Sequence, residues 1–293
     1  MTELRRRGTA LVTGGAKGIG RAISEQLARA GWDLVLCARD RAALQRAAAE
    51  ISARHGVQVE QRPLDLSRAG AAAELCGQWQ SPAELPLALV CCAADYGELG
   101  ALDSVDFPAW KRSFDLNFFS VAELLHHYVR QAMLGQATRG GSEPRRRIVV
   151  MGGGGLGAAK VDGGVSAYSC AKAALYRLVE VVHAEVNGRG IDINCVLPGL
   201  VDTGIVDQAL AAGPALGAIY EASLKARSGG GTSPDVAAEV IVRLLDDACS
   251  GVSGRLISAR WDRAALAEPA ALAQDGDLFR LRRIDNDLYG RAK

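Results

Sequence analysis

Short apolar runs alternate along the chain with longer stretches in which apolar residues recur every three to four positions. Residues 9–13, 34–37, 57–60, 87–91, 147–151, 191–196 and 254–257 read as strands. Residues 18–29, 41–54, 108–134, 166–186 and 234–248 carry helical periodicity. The strands are apolar at successive positions, not merely at alternate ones, so both of their faces are buried. That pattern belongs to a parallel sheet covered on each side. Regular alternation of strand and helix then predicts a single-domain, doubly wound α/β fold with about seven parallel strands.

No Pro- or Ser-rich linker divides the sequence, and residues 1–260 read as one domain. Two segments read as additions. Residues 135–146 are polar and glycine-containing, which predicts an exposed loop. Residues 261–293 follow the last strand with alternating charges and scattered apolar positions, among them Trp261, Leu278 and Phe279. They are expected to pack on the domain or on an oligomer interface.

Composition narrows the function classes. The 293 residues are 49% hydrophobic and 23% charged, as in a soluble globule with a sizeable core. With 34 basic and 33 acidic residues the formal net charge is +1, and aromatics make up 5%. Neither a phosphate-binding basic excess nor a base-stacking platform is present, which argues against nucleic acid as a partner. The seven cysteines are an odd number and sit mostly in apolar runs, so free thiols in a reducing compartment are expected. No Cys or His spacing suggests a metal site. The apolar stretch after Arg5, Arg6 and Arg7 is broken by Thr13-Gly14-Gly15, unlike a signal peptide, and the longest apolar run, residues 87–94, is too short to span a bilayer. The expectation is a cytoplasmic protein with no membrane partner.

The first chemical signal follows the first strand. Thr13-Gly14-Gly15-Ala16-Lys17-Gly18-Ile19-Gly20 opens a helix. Gly14 allows a tight turn, Gly18 lets the backbone approach a pyrophosphate, and Gly20 lets helix and strand pack closely. The helix start, with Ile19, offers free amides and the positive end of its dipole. This is a dinucleotide cradle of the Rossmann kind. The end of the second strand selects the dinucleotide. An acid there would bind a ribose 2′-hydroxyl, but the chain has Ala38 followed by Arg39. A guanidinium suits a 2′-phosphate, and Lys17 adds a second cation, so NADP(H) is expected rather than NAD(H). Asp40 reads as the cap of the next helix.

Tyr168 and Lys172, four apart, share one helix face. A phenol is a poor base near neutrality. A neighbouring ammonium favours the phenolate and brings it into working range.

Together these residues resemble the short-chain dehydrogenase/reductase superfamily over about residues 8–258. The resemblance rests on residues 13–20, Asp65-Leu66, Asn117, Tyr168 with Lys172, and Pro198-Gly199 with Thr203. It implies that Tyr168 passes the proton, and that Lys172 holds the nicotinamide ribose and acidifies the phenol. It further implies that Asn117 holds a relay water, that Asp65 and Leu66 border the adenine, and that Pro198 and Thr203 line the nicotinamide. Such a protein would transfer hydride between NADP(H) and a small carbonyl or alcohol, and its long helices would pair across a two-fold in a homodimer or homotetramer.

Two positions depart from the family. Cys91-Cys92-Ala93-Ala94 stands where Asn-Asn-Ala-Gly is usual. At the end of the fifth strand, where a serine usually binds the substrate oxygen, the chain has Gly153 by strand end or Gly155 by distance from Tyr168. Loss of one such donor costs on the order of a hundredfold in rate. Backbone amides of the glycine loop, a water or a substrate hydroxyl are conceivable replacements, and Ser166 is a further candidate although it should point elsewhere at the helix start. The departures leave two alternatives open: a cofactor-binding protein with weak or no turnover, and an epimerase without net redox.

Overall fold

The computed structural model describes residues 6–139, 144–153, 162–274 and 278–281. Seven strands form one sheet: β1 (Gly8–Thr13), β2 (Trp32–Ala38), β3 (Val59–Pro63), β4 (Ala88–Cys91), β5 (Arg146–Met151), β6 (Ile191–Leu197) and β7 (Leu256–Ser258). Their order is β3-β2-β1-β4-β5-β6-β7, and every neighbouring pair is parallel. This is the doubly wound sheet the pattern predicts. The chain reverses its winding between β1 and β4, and a crevice opens beyond the carboxyl ends of those strands.

Successive strand residues enter opposite cores. Ala10 and Val12 of β1, Leu34 and Leu36 of β2, and Val90 of β4 pack on one side. Leu11, Val35, Cys37 and Leu89 pack on the other. The first side is closed by α1 (Gly18–Arg29), α2 (Arg41–His55) and α9 (Pro234–Leu244). The second is closed by α3 (Ala71–Cys76), α5 (Ser120–Arg139) and α6 (Ser166–Val186). The remaining helices lie at the crevice or the end of the chain: α4 (Phe107–Phe114), α7 (Gly204–Ala212), α8 (Ala218–Lys225) and α10 (Pro269–Gln274).

Several sequence expectations are corrected. The helix read over 108–134 is two helices, α4 and α5, joined by a wider π-type turn at Asp115–Phe119. α5 continues to Arg139, so the segment read as a loop over 135–146 is helical at its start. At its other end Arg146 begins β5 and is buried, donating to the carbonyls of Leu85, Pro86 and Pro82. Its stem and charge fill a polar slot that no hydrophobicity pattern reveals. α9 stops at Leu244, where a separate short turn over Asp247–Cys249 is capped by Asp246.

The terminal segment touches the sheet. Leu256 of β7 donates to the carbonyl of Phe279 at 2.8 Å, and Arg255 donates to that of Leu278 at 2.7 Å. Leu281 donates to the Tyr176 hydroxyl of α6 at 2.9 Å. Residues 278–281 thus cover the outer edge of β7. Leu266 and Leu272 join the core beneath α9, whereas Trp261 stands exposed. Residues 282–293 lie outside the described residues.

All seven cysteines are free, with Cys170 exposed and Cys92 half-buried. Among the described residues no group of three or more His, Cys, Asp or Glu side chains is placed to hold a metal ion, and no helix is long and apolar enough to cross a membrane.

Candidate active site

The glycine turn sits at the mouth of the crevice, where its residues need their lack of a side chain. Gly14 and Gly18 take positive φ, at 68° and 54°. A Cβ on Gly20 would lie 2.2 Å from the Gly14 carbonyl oxygen, so α1 reaches the turn only because position 20 is glycine. α1 carries no side-chain cap, and its first amides face the crevice end of β1. A Cβ-free cradle beside an uncapped helix start fits a pyrophosphate. Gly14, Gly18, Ile19 and Gly20 therefore stand together as the sequence places them.

At the end of β2, Arg39 is exposed and makes no hydrogen bond or ion pair with the described residues. Lys17 is differently placed. Its Nζ lies 2.6 Å from Asp40, whose other oxygen accepts from the Ala43 amide and caps α2. Those two bonds hold the Asp40 carboxyl below its usual range. Lys17 thus reaches the mouth as half of an ion pair, and Arg39 as an uncommitted cation. Asp65, after β3, accepts from the amide and hydroxyl of Ser67 at 3.0 and 2.8 Å, bonds that lower its pKa; the charge of Arg39 acts in the same direction. Leu66 is buried in the core beside β2.

The floor of the crevice is the turn after β4. Thr13, at the end of β1, accepts from the amides of Cys92 and Ala93 at 3.0 and 3.2 Å. One hydroxyl so fixes the loop in which the usual asparagines are replaced by cysteines. Sequence reading passed over Thr13 as a strand residue; its position one before the first glycine is the only signal it gives. Further along, Asp95 donates its amide to Asn117 Oδ1 at 3.4 Å, while Asn117 Nδ2 donates to the Ser113 carbonyl at 2.9 Å. Asn117 lies fully buried in the π-type turn between α4 and α5, and its side chain ties that turn to the loop. Interruptions of this kind concentrate at functional sites.

α6 brings Tyr168 and Lys172 to the same crevice. Lys172 is buried, with Nζ 3.2 Å from the Met151 carbonyl at the end of β5 and 5.6 Å from the centre of the Tyr168 ring. Burial pushes the Lys172 ammonium down and the Tyr168 phenol up; Tyr96 and Asp95 add to the latter shift. Burial also pushes the neighbouring Cys92 and Cys195 thiols up to about 12, so neither supplies a thiolate near neutral pH. Gly153 faces the phenol directly: a Cβ there would lie 2.5 Å from Tyr168 Oη. Gly155 lies outside the described residues. Ser166 turns away, accepting from the Trp110 indole at 2.9 Å.

A residue the sequence reading missed, Tyr96, packs edge-on against Tyr168 with ring centres 5.0 Å apart. Its amide donates to Gln208 of α7 at 2.9 Å. The segment over residues 203–233 contains α7 and α8 and closes on Tyr168 through Leu216 and Ala209. Thr203 begins α7, its methyl 3.0 Å from where a Gly18 Cβ would stand, and Pro198 lies half-buried just past β6. Glycine cradle, exposed arginine, buried Tyr-Lys pair and α7–α8 cover therefore surround one crevice.

The chain is similar to known proteins in sequence and in fold. A rhamnolipids-biosynthesis 3-oxoacyl-(acyl-carrier-protein) reductase of Pseudomonas aeruginosa is 31% identical over 191 residues, 65% of this chain and 71% of that protein. A 1-deoxy-11-beta-hydroxypentalenate dehydrogenase of Streptomyces exfoliatus is 31% identical over 200 residues, 67% of this chain and 68% of that one. Among solved structures, an RhlG/NADP active-site complex from Pseudomonas aeruginosa superposes with a TM-score of 0.72 at 26% identity, covering 87% of this chain and 95% of that one. A Beutenbergia cavernae chain with bound NADP gives 0.73 at 26% identity, covering 89% and 98%. The family model for short chain dehydrogenases matches residues 8–212, a span that holds the cradle, Arg39, Asn117 and the Tyr168–Lys172 pair, and the chain belongs to that family.

Proposed function

We propose that the protein is an NADP(H)-dependent oxidoreductase that interconverts a carbonyl and an alcohol. The observation that carries this reading is the convergence of Tyr168 and Lys172 on the crevice that the glycine turn opens. When bound, the dinucleotide supplies or accepts the hydride. The chain's own residues do the rest. The amides at the start of α1 and Gly14, Gly18, Ile19 and Gly20 hold the pyrophosphate. Arg39 takes the 2′-phosphate, with Lys17 in reach once it exchanges Asp40 for the ligand. Asp65 and Leu66 border the adenine, and Pro198 and Thr203 the nicotinamide.

Tyr168 gives its proton to the carbonyl oxygen in the reductive direction and takes it back in the other. A phenol raised by burial is a competent acid, since it keeps its proton until the oxygen develops charge. Lys172 donates to the ribose and supplies the field that makes the phenolate tolerable. Asn117 keeps Asp95 and Tyr96 in place behind the phenol and borders the path of the relay water. The reductase and dehydrogenase names of the relatives, and the NADP held by two structural neighbours, support this assignment. The molecule is further proposed to form a two-fold homo-oligomer, which the exposed Phe107, Phe119 and Val181 support.

Absorbance at 340 nm with a panel of ketones tests the activity. Tyr168→Phe is expected to cut turnover at least a hundredfold while leaving NADPH affinity near the native value; full turnover in the variant overturns the mechanism. Arg39→Ala is expected to weaken NADPH binding about 10- to 100-fold, with NADH almost unaffected, as read by fluorescence titration. Tight NADPH binding without turnover on any ketone would instead favour a cofactor-binding role, for which the bare Gly153 opposite the phenol is the supporting feature.

A further inference from the structure

The chemistry of the substrate is written in what closes over Tyr168. Tyr96 and Val165 flank the phenol, Ala209 comes from α7, and Leu216 follows from the turn before α8. Ile205 and Ile219 pack against the same cluster from either side of it. Tyr220 of α8 packs against the cluster as well, whereas two other polar residues of the cover make contacts elsewhere. Arg227 binds both Asp202 and Asp207 on the outer surface, so its guanidinium has no free fork to offer a substrate acid. Gln208 spends its Oε1 on the Tyr96 amide.

Carboxylate charge reaches both phenols. Asp95 acts on Tyr168, and Asp162 acts on Tyr96. The ammonium closest to them, Lys172, is held at the back by the Met151 carbonyl. Among the described residues around the cover, a substrate bearing a free carboxylate would meet this field with no cation beside it but the committed Lys172. A polyhydroxylated one would bury most of its hydroxyls against valine, leucine and isoleucine, which return no hydrogen bonds, with only the Tyr96 and Tyr220 phenols as polar neighbours in the cluster. A hydrocarbon chain or ring meets neither penalty and replaces the contacts the cover now makes with itself.

We propose that the site takes neutral, apolar carbonyl compounds, with the hydrocarbon part lodged between Tyr96, Val165 and the α7–α8 cover. This deepens the oxidoreductase reading above and rests on it. The carboxylate-bearing and sugar-like ketones are the excluded classes.

The test uses the full chain and two measurements. NADPH affinity is titrated first by fluorescence; its absence removes the oxidoreductase reading on its own. Calorimetry then follows the binding of 2-butanone, 2-hexanone, 2-octanone and 2-decanone, and of 7-oxooctanoate as the charged match of 2-octanone. Where turnover occurs, kcat/KM is read for the same set. Affinity is expected to rise up to about fourfold per methylene until the cover is filled. 7-Oxooctanoate is expected to bind at least tenfold more weakly than 2-octanone. Leu216→Arg, checked by circular dichroism and native NADPH affinity, is expected to shift preference toward 7-oxooctanoate. Flat affinity across the ketone series, or equal binding of 2-octanone and 7-oxooctanoate, overturns the proposal even if NADPH binds well.

Discussion

Single residues at the crevice show how little chemistry separates a turn from a binding site. Gly20 is the clearest case, because the Gly14 carbonyl oxygen would stand 2.2 Å from its Cβ. Gly20→Ala must push α1 away from the turn. We expect a loss of about 1–3 kcal/mol, seen as a fall of several degrees in Tm, together with weakened NADPH binding. An alanine variant of native stability and affinity would show that α1 approaches less closely. The role of this glycine was legible from spacing alone. That of Thr13 was not, for a threonine ending a strand looks like any β-branched residue until the amides of Cys92 and Ala93 are seen to converge on it. Tyr96 was hidden for the same reason: it has no motif, and only the fold sets it against Tyr168.

Among the elements, the interrupted helix is where periodicity failed. Apolar spacing runs unbroken from α4 into α5, and nothing in it marks Asp115–Phe119 as a wider turn. The reason lies in one side chain. Asn117 lends its amide nitrogen to the Ser113 carbonyl and its oxygen to the Asp95 amide, satisfying backbone groups of two elements at once. Asn117→Leu keeps the volume and leaves both groups without those partners. A cost of about 1–3 kcal/mol per stranded group is expected in denaturant unfolding, along with lowered kcat from a loosened Tyr96 loop. Unchanged stability would mean the turn holds itself. The sheet, by contrast, was readable almost strand by strand. Parallel strands buried on both faces, such as β1, β2 and β4, leave a continuous apolar signature, whereas the edge strand β3 is polar and largely exposed. Where a buried charge such as Arg146 begins a strand, that signature misleads.

Across the whole molecule, the last described residues bind the sheet to α6 through a titratable contact. Arg280 Nη2 lies 3.2 Å from His183 Nε2, and His183 Nδ1 lies 2.9 Å from the Ser253 hydroxyl. A guanidinium has no acceptor, so Nε2 must be unprotonated for this pairing. Burial lowers the His183 pKa, and the charges of Arg280 and Arg255 lower it further; Glu180 alone of the groups around it opposes them. Because the folded pKa is depressed, the unfolded chain binds the proton first. Stability is therefore full above the unfolded value of about 6.5 and falls as the pH drops below it. Denaturant midpoints measured from pH 7.5 to 5 are expected to decline, with a shallower slope in His183→Gln; identical slopes would remove His183 from the account. The seat of residues 278–281 on the outer edge of β7 depends on backbone groups that no sequence pattern displays.

Thr203 and Leu216 belong to one continuous roof, the first resting over Gly18 and the second over the phenol. A change in the packing of α7 and the turn before α8 is therefore felt at the glycine turn and at the phenol together.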